Sequence, residues 1–264
     1  MNGVDLPPSF FDWMQASNEI CTEEELPAAD LVLLISRFVN LTAYVRRFAF
    51  SDGRNNTANV IKQLLEIDRD MERWESQRDG KWEVEVVTVE GFPPDAVFRG
   101  KYHKYEDMWT ARTWSHYRWA RILIEQMILE FVERYPMSSL GFISVTQQER
   151  MLANISRLAQ DILQSSPCHY KDPRMSEEQR EKVLIQGGPS AGAVGVPVIV
   201  FHLKTAACAP GVSKEIWQWA LNLMDTIWSD LGMLHARSLA EVSRAHQDRL
   251  EREVPEGLLK QEII

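Results

Sequence analysis

Aromatic and basic side chains crowd the first half of residues 109–135, which read WTARTWSHYRWARILIEQMILEFVERY. The side chains here that could form a site are those of Trp114, Tyr117, Arg118 and Trp119. Guanidinium groups stack on aromatic faces, and their donors need hydrogen-bond partners when they are buried. The composition therefore predicts a partly buried arginine network, with a salt-bridged surface patch as the alternative.

The second arginine of this segment has a carboxylate at helical spacing. Arg121 and Glu125 lie four residues apart, which places them on neighbouring turns of one helix face. We therefore expect Arg118 and Arg121 to be structural, held between aromatic rings and carboxylates such as Glu125.

The same rings also suggest a ligand pocket. Large rings leave gaps that smaller residues would close, and the glycine-rich stretch GGPSAGAVG at residues 187–195 has no helical periodicity. We expect an apolar cavity behind the rings, with a loop at 186–195 near its mouth; a fully packed core is the alternative. The expected ligand-binding residues are Trp114, Tyr117, Arg118, Trp119 and His202.

No recognised catalytic motif accompanies these side chains. The chain contains no GxSxG elbow, no P-loop, no HExxH pair and no dinucleotide fingerprint. Its six histidines show no paired spacing on one helix face, and Cys168 with His169 is read as a structural pair. We therefore expect no metal site and no cofactor, and the sequence favours a non-enzymatic role.

Charge and cysteine usage bear on partners and location. With 38 acidic and 29 basic residues among 264, the net charge is −9, and the acids are spread along the chain. This distribution argues against a nucleic-acid groove. The three cysteines, Cys21, Cys168 and Cys208, are far apart and fit a reducing, intracellular compartment.

Neither a secretory signal nor a membrane span is expected. Residues 1–20 contain no sustained apolar run, and VGVPVIVFHL at 194–203 is about half the length that crosses a bilayer. This apolar stretch is expected to be a buried helix or strand.

Helical periodicity dominates the rest of the chain. Helices are predicted at 30–49, 56–78, 106–135, 146–165 and from Ser213 onward, with a short helix at 176–184. Asp30 is the predicted N-cap of the helix at 30–49, and SDG at 51–53 its stop. The helix at 106–135 should begin near Glu106 or Asp107, whose negative charges suit a helix N-terminus. Thr146 and Glu149 have capping-box spacing for the fourth, which Pro167 should end. Gly232 should separate the last two helices.

One segment departs from the helical pattern. Residues 82–89, WEVEVVTV, alternate like a strand but have no evident partner, so they are predicted to be a connector. The sequence therefore predicts an all-α fold, a single large irregular helical bundle. Its predicted parts are an N-terminal segment at 1–29, a domain at 30–247, and a tail or short helix at 248–264.

Three segments resemble the fungal-specific transcription factor domain, the regulatory region of fungal zinc-cluster transcription factors. They are KYEDMWTARTWSHYRWARILIEQMI at 104–128, NISRLAQDILQSSPCHY at 154–170 and WQWALNLMDTIWSDLGMLHARSLAEV at 217–242. Their order and spacing agree with the family over roughly residues 30–247. Two features depart from it: His116 stands where the family often has asparagine, and the six-cysteine zinc cluster with its basic arm is missing.

The resemblance implies a regulatory domain that senses a small hydrophobic ligand or a protein partner, in a nuclear protein. Because the zinc cluster is missing, we expect no direct nucleic-acid binding by this chain. The alternative is a stand-alone, cytoplasmic small-molecule binder or cyclase-like enzyme of fungal secondary metabolism that uses a hydrophobic helical cavity. A homodimer is compatible with either interpretation.

Overall fold

The computed structural model describes residues 5–48, 55–139, 141–187 and 195–253. Within these ranges the prediction of an all-α fold is confirmed, and the strands form one small two-stranded sheet. The helices are α1 (Pro8–Asn18), α2 (Leu26–Phe48), α3 (Asn55–Ser76), α4 (Met108–Arg134), α5 (Pro136–Ser139), α6 (Val145–His169), α7 (Glu177–Lys182), α8 (Val196–Ala207), α9 (Lys214–Leu231) and α10 (Leu234–Glu253). The strands are β1 (Glu85–Thr88) and β2 (Lys101–Lys104).

Helix α4 occupies the centre of the bundle. It packs against α3, α6 and α8, while α9 and α10 close the side beyond α8. Ile122, Ile124 and Ile128 of α4 are fully buried. Their spacing places them on more than one face of the helix, so α4 buries apolar side chains against several neighbouring helices. Side chains on different faces of α4 therefore reach separate environments.

Several predicted helix ends are confirmed. Asp107 caps α4, with its carboxylate accepting a hydrogen bond from the Thr110 backbone N at 2.7 Å. Ser213 caps α9. Gly232 ends α9 at φ 64°, a left-handed conformation that favours glycine.

The prediction that Asp30 is the N-cap of the helix at 30–49, which corresponds to α2, is wrong. Helix α2 begins at Leu26, so Asp30 lies inside it. Thr22 and Glu25 make the turn that precedes the helix, because Glu25 accepts hydrogen bonds from both the backbone N and the hydroxyl of Thr22. The predicted stop at 51–53 lies outside the described residues.

Helix α6 corrects two further predictions. Its capping box is Ser144 with Gln147, two residues before the predicted pair of Thr146 and Glu149, which has the same spacing. Pro167 lies inside the helix and does not end it. Proline cannot donate to the carbonyl four residues back, but the Ser166 hydroxyl donates to that carbonyl, on Leu163, at 2.7 Å.

The strand-like segment does have a partner. Strand β1 pairs antiparallel with β2, so that Glu85 lies opposite Lys104 and Val87 opposite Tyr102. The prediction of an unpaired connector is therefore wrong. Its partner was missed because KYHK is short, polar and without apolar alternation.

Helix α2 is long and apolar enough to cross a membrane by length and composition, since a window within Leu26–Arg47 reaches a mean hydropathy of 1.5. Residues 194–203, on which the prediction of no membrane span was based, fall largely within the shorter α8. Core helices of globular proteins pass the same test, and α2 buries Leu31, Phe38 and Leu41 in the bundle.

Two predictions fall only partly within the described residues. Helix α7 falls within the predicted 176–184 segment, and α10 continues past 247 to Glu253. Residues 188–194 of the predicted loop, and the chain beyond 253, lie outside the described residues.

Candidate functional site

A cleft of about 690 Å³ opens between α3, α4 and α6, with residues 142–151 at one edge. We call it the carboxylate cleft. Its acidic side chains and the two guanidinium groups paired with them are Asp68, Glu72, Glu75, Glu125, Arg121 and Arg157. Leu65, Phe142 and Met151 give it an apolar wall.

Arg121 organises the floor of the cleft. Its Nε lies 3.2 Å from an oxygen of Asp68 and 3.6 Å from Oε1 of Glu125. Its Nη1 donates to Glu75 at 3.0 Å and to the Tyr117 hydroxyl at 2.7 Å. Burial disfavours the charge of Arg121, but the hydroxyl of Tyr117 and the carboxylates raise its pKa. The expected pairing of Arg121 with Glu125 is confirmed.

Glu75 is the most fully paired carboxylate of the cleft. Both of its oxygens accept from Arg157, at 2.9 and 3.0 Å, and Oε2 also accepts from the Tyr117 hydroxyl at 2.8 Å. Burial opposes ionisation, yet the hydrogen bonds and charge of Arg157 lower the pKa of Glu75. Glu75 is therefore a charged anchor for two arginines.

Glu125 is the least satisfied carboxyl group of the cleft. Its side chain is 2% exposed, and Oε1 accepts from Asn154 Nδ2 at 2.6 Å. Oε2 accepts no hydrogen bond, and the neighbouring carboxyl group of Asp68 can interact with Glu125 only by sharing its proton. Burial, followed by the charge of Asp68, raises the pKa of Glu125 to about 8. Burial also raises the pKa of Asp68. At neutral pH Glu125 is thus mainly protonated.

Arg118, one turn before Arg121, has a different set of partners. Its Nη1 donates to the Tyr105 hydroxyl at 2.6 Å and its Nη2 to His103 Nδ1 at 3.1 Å. Its guanidinium carbon lies 5.4 Å from the centroid of the Trp114 ring. Burial lowers the pKa of His103 to about 2, so this partner is neutral. Arg118 contacts aromatic rings as expected, but neutral groups accept its hydrogen bonds.

The predicted ligand-binding residues divide between two faces of α4. Trp114 and Tyr117 pack against Trp74 of α3, with ring centroids 5.1 and 5.0 Å away. Trp119 instead lies 6.4 Å from the ring of His202 on α8. The structure therefore brings Trp114, Tyr117 and Arg118 together, brings Trp119 and His202 together, and does not join the two groups. None of the five lines the carboxylate cleft.

The face toward α8 holds buried imidazoles. The Nδ1 of His202 lies 2.6 Å from the Val198 carbonyl, so Nδ1 carries the proton and Nε2 has a lone pair without a donor. His169 Nε2 lies 3.2 Å from Ser115 Oγ, whose own proton goes to the Ala111 carbonyl. His169 therefore donates through Nε2, and its Nδ1 has no partner. Burial lowers the pKa of both histidines to about 3.

The space around His169 is nearly filled. A Cβ added at Gly195 would lie 2.8 Å from the His169 carbonyl oxygen and 3.3 Å from its Nδ1. Within the described ranges, no group of three His, Cys, Asp or Glu side chains is placed to bind a metal ion. The carboxylate cleft, which is open, is therefore the better candidate for a guest.

Sequence reasoning missed most of the cleft. Asp68, Glu72 and Glu75 recur at steps of four and three residues, which places them on one face of α3 beside its apolar stripe. On α6, Asn154 and Arg157 are three residues apart. The sequence signal was a row of acidic residues at helical spacing beside the apolar stripe of α3. The solvent-exposed face of an ordinary amphipathic helix has the same pattern, so this row did not indicate a site.

Comparisons with protein-family models, with curated proteins and with solved structures each found no match to this chain.

Proposed function

We propose that this chain is the ligand-sensing helical domain of a fungal transcriptional regulator, and that the carboxylate cleft is its ligand site. The regulatory role rests on the resemblance of residues 104–128, 154–170 and 217–242 to the fungal-specific transcription factor domain. The observation that supports the ligand site is Glu125, which lines the cleft and whose buried Oε2 accepts no hydrogen bond.

Unpartnered buried polar atoms are costly. A buried acceptor or donor left without a hydrogen bond costs about 1–3 kcal/mol, so proteins satisfy most of them. A carboxyl group with a raised pKa in a concave site is a recurring feature of binding and catalytic sites. A guest that bonds to Glu125 would remove this cost while it binds.

The cleft also suits a signalling role. A ligand held there contacts α3, α4 and α6 together, so it stabilises one packing of these helices relative to others. A partner surface formed by the same helices would then respond to the ligand. The guest expected from the lining has polar and apolar parts, whereas the sequence suggested a hydrophobic ligand.

The ligand site can be tested in two steps. Small metabolites would first be screened by thermal shift, because a ligand at a hundred times its dissociation constant adds about 2.7 kcal/mol of apparent stability. Hydrogen exchange would then locate each hit. Protection of residues 65–75, 121–125 and 147–157 supports the cleft, whereas protection confined to residues around Trp119 and His202 contradicts it.

The regulatory role needs a separate test. The chain fused to a heterologous DNA-binding module should give a reporter output that changes with the ligand, and Glu125→Gln should abolish the change. Alone, the chain should not bind duplex DNA specifically at physiological salt. A fused chain whose output ignores every ligand that binds the cleft would contradict regulation.

A stand-alone enzyme is the second candidate function. The observation that favours it is the pairing of Glu125, protonated near neutral pH, with Asp68 beside Arg121, since unequal carboxyl groups can act as general acid and base. Turnover of a cleft ligand, lost in Glu125→Gln with binding retained, would select the enzyme.

A further inference from the structure

The carboxylate cleft has more acidic groups than buried cations to match them. Five carboxyl groups and three guanidinium groups interact in and behind it. The carboxyl groups are those of Asp68, Glu72, Glu75, Glu125 and Asp161, and the guanidinium groups are those of Arg118, Arg121 and Arg157. If all were ionised, this cluster would carry an excess of two negative charges. Glu72 and Arg157 are exposed, and without them the four remaining carboxyl groups still exceed the two buried guanidinium groups by two, which burial makes costly.

Two further arginines at the cleft do not balance this excess. Arg69 and Arg150 line the cleft but are exposed, and neither has an ion pair among the described residues. The Nε of Arg69 donates to the Leu65 carbonyl at 3.2 Å. Water screens exposed guanidinium groups far more than buried ones, so they compensate the floor of the cleft weakly.

Protonation of Glu125 therefore removes one negative charge that no nearby cation neutralises. The carboxyl groups of Asp68 and Glu125 lie 3.2 and 3.6 Å from the same atom, Nε of Arg121, so they are close to each other and share this one cation. Glu75, by contrast, is committed to Arg157, Arg121 and Tyr117. Glu125 and Asp68 can therefore each accept a further hydrogen bond. A positively charged donor placed between them would balance their negative charges.

The apolar wall defines the rest of the guest. Leu65, Phe142 and Met151 line the same cleft, and the Phe142 side chain is 40% exposed. An aromatic ring attracts both apolar groups and cations, and a methionine side chain packs against apolar and aromatic groups. An inorganic cation would leave this wall in contact with water, whereas an organic cation would cover it.

We propose that the carboxylate cleft binds a small organic cation, a primary ammonium carried on an apolar group, whose nitrogen replaces the Glu125 proton between Glu125 and Asp68. This inference rests on the proposed ligand site and assigns its chemical class. Binding releases the Glu125 proton to solvent, so both carboxylates become charged as the ammonium arrives. The affinity should then depend on pH, because the proton must leave before the cation is held.

The test compares three probes of one shape by isothermal calorimetry: 2-phenylethylammonium, the neutral 2-phenylethanol and the anionic phenylacetate. We expect the ammonium to bind at least tenfold more tightly than the other two at pH 7.5. Between pH 6 and 7 its affinity should rise nearly tenfold, and close to one proton should be released per ligand at pH 6.5, seen as heats that vary with the buffer. The charged groups that face Glu125 and are held constant are Asp68, Glu72 and Glu75 on α3, Arg121 on α4, and Arg150 and Arg157 on α6.

Variants separate this exchange from a general charge effect. Glu125→Gln retains the acceptor for Asn154 but has no proton to exchange, so it should lose the pH dependence, the proton release and at least tenfold in affinity. Glu130→Gln removes the same charge from an exposed position of α4 outside the cleft and should behave as the parent protein.

The other outcomes overturn the inference. If the alcohol or the carboxylate binds the cleft as tightly as the ammonium, or the ammonium binds without proton release, the proposed class is wrong while the ligand site stands. If none of the three binds but screened compounds protect the cleft, the class is again wrong. If nothing protects the cleft, the ligand site fails with it.

Discussion

The two polar faces of α4 solve the problem of burial in different ways. Toward α3 and α6, Arg121 and Glu75 are charged, and each meets several partners at hydrogen-bond distance. Toward α8, His169 and His202 are neutral, and each retains a ring nitrogen without a partner. A buried charge requires partners because its desolvation is severe, whereas a neutral imidazole tolerates an unmatched lone pair at a much smaller cost.

The comparison also indicates where a guest belongs. The histidine face is closed by close contacts such as that of Gly195 with His169, so its unmatched atoms are consistent with dense packing. On the charged face Glu125, whose buried Oε2 accepts no hydrogen bond, lines an open cleft. A missing hydrogen bond is therefore a consequence of dense packing on the histidine face, whereas on the charged face it leaves an acceptor that a ligand could use.

Removal of Arg121 should have the largest effect. Arg121→Ala leaves Asp68, Glu75 and Glu125 without their shared cation, and breaking a buried pair by removing one partner costs about 3–5 kcal/mol. Urea unfolding at pH 7 measures this loss. Arg69→Ala, which removes an exposed arginine at the same cleft, should change stability by less than about 0.5 kcal/mol. Similar losses for both variants would remove the distinction between paired and exposed arginines.

Removal of Arg118 should cost less, because its hydrogen-bond partners are neutral. Arg118→Ala leaves the Tyr105 hydroxyl and His103 without a donor and removes packing against Trp114, for a loss of about 1–3 kcal/mol. Thermal and urea unfolding would measure it. If melting is unchanged and ligand binding is lost, Arg118 is a pocket residue.

Acid should weaken the histidine face. The folded pKa values of His169 and His202 are about 3, below the ordinary 6.5, so the unfolded chain binds more protons between these limits. Their contribution to stability is complete above pH 6.5 and declines as the pH falls, by about 1.4 kcal/mol per pH unit for each histidine. His202→Gln should reduce the slope of unfolding free energy between pH 6 and 5. His235→Gln, at an exposed position, should not.

Glu125 should have the opposite dependence. Its folded pKa of about 8 is above the ordinary 4.5, so the folded state binds its proton more tightly, and stability declines as pH rises through this window. Because an amide does not titrate, Glu125→Gln should gain stability relative to the parent as the pH rises from 5 to 8, by up to about 1.4 kcal/mol per pH unit. Urea unfolding at the two pH values measures this gain, and its absence would contradict a protonated Glu125.

The fold was predictable where local signals act alone. Helical periodicity and caps located α4 behind Asp107, α9 behind Ser213 and the break at Gly232. At α6 the prediction was wrong because Ser144 with Gln147 and Thr146 with Glu149 have the same capping-box spacing, and only the first pair forms the box. The pairing of β1 with KYHK depends on a long-range contact that neither strand's pattern encodes.

The site was predictable only in part. The pair of Arg121 with Glu125 follows from spacing on one helix, and it is present. The separation of Trp119 from Trp114 depends on which helices flank α4, and this is decided by packing between distant segments. Asp68 and Asn154 complete the cleft from α3 and α6, so the site exists only after three helices have assembled.

The protonation of Glu125 is the most direct test of the cleft. With glutamate labelled at the side-chain carboxyl carbon, a pH titration by NMR follows this group, and Glu125→Gln identifies its signal. We expect a midpoint near pH 8, moved well below neutrality by saturating 2-phenylethylammonium. A midpoint near 4.5 in the free protein would show that Glu125 is an ordinary, charged carboxylate and would contradict both the unmatched oxygen and the exchange built on it.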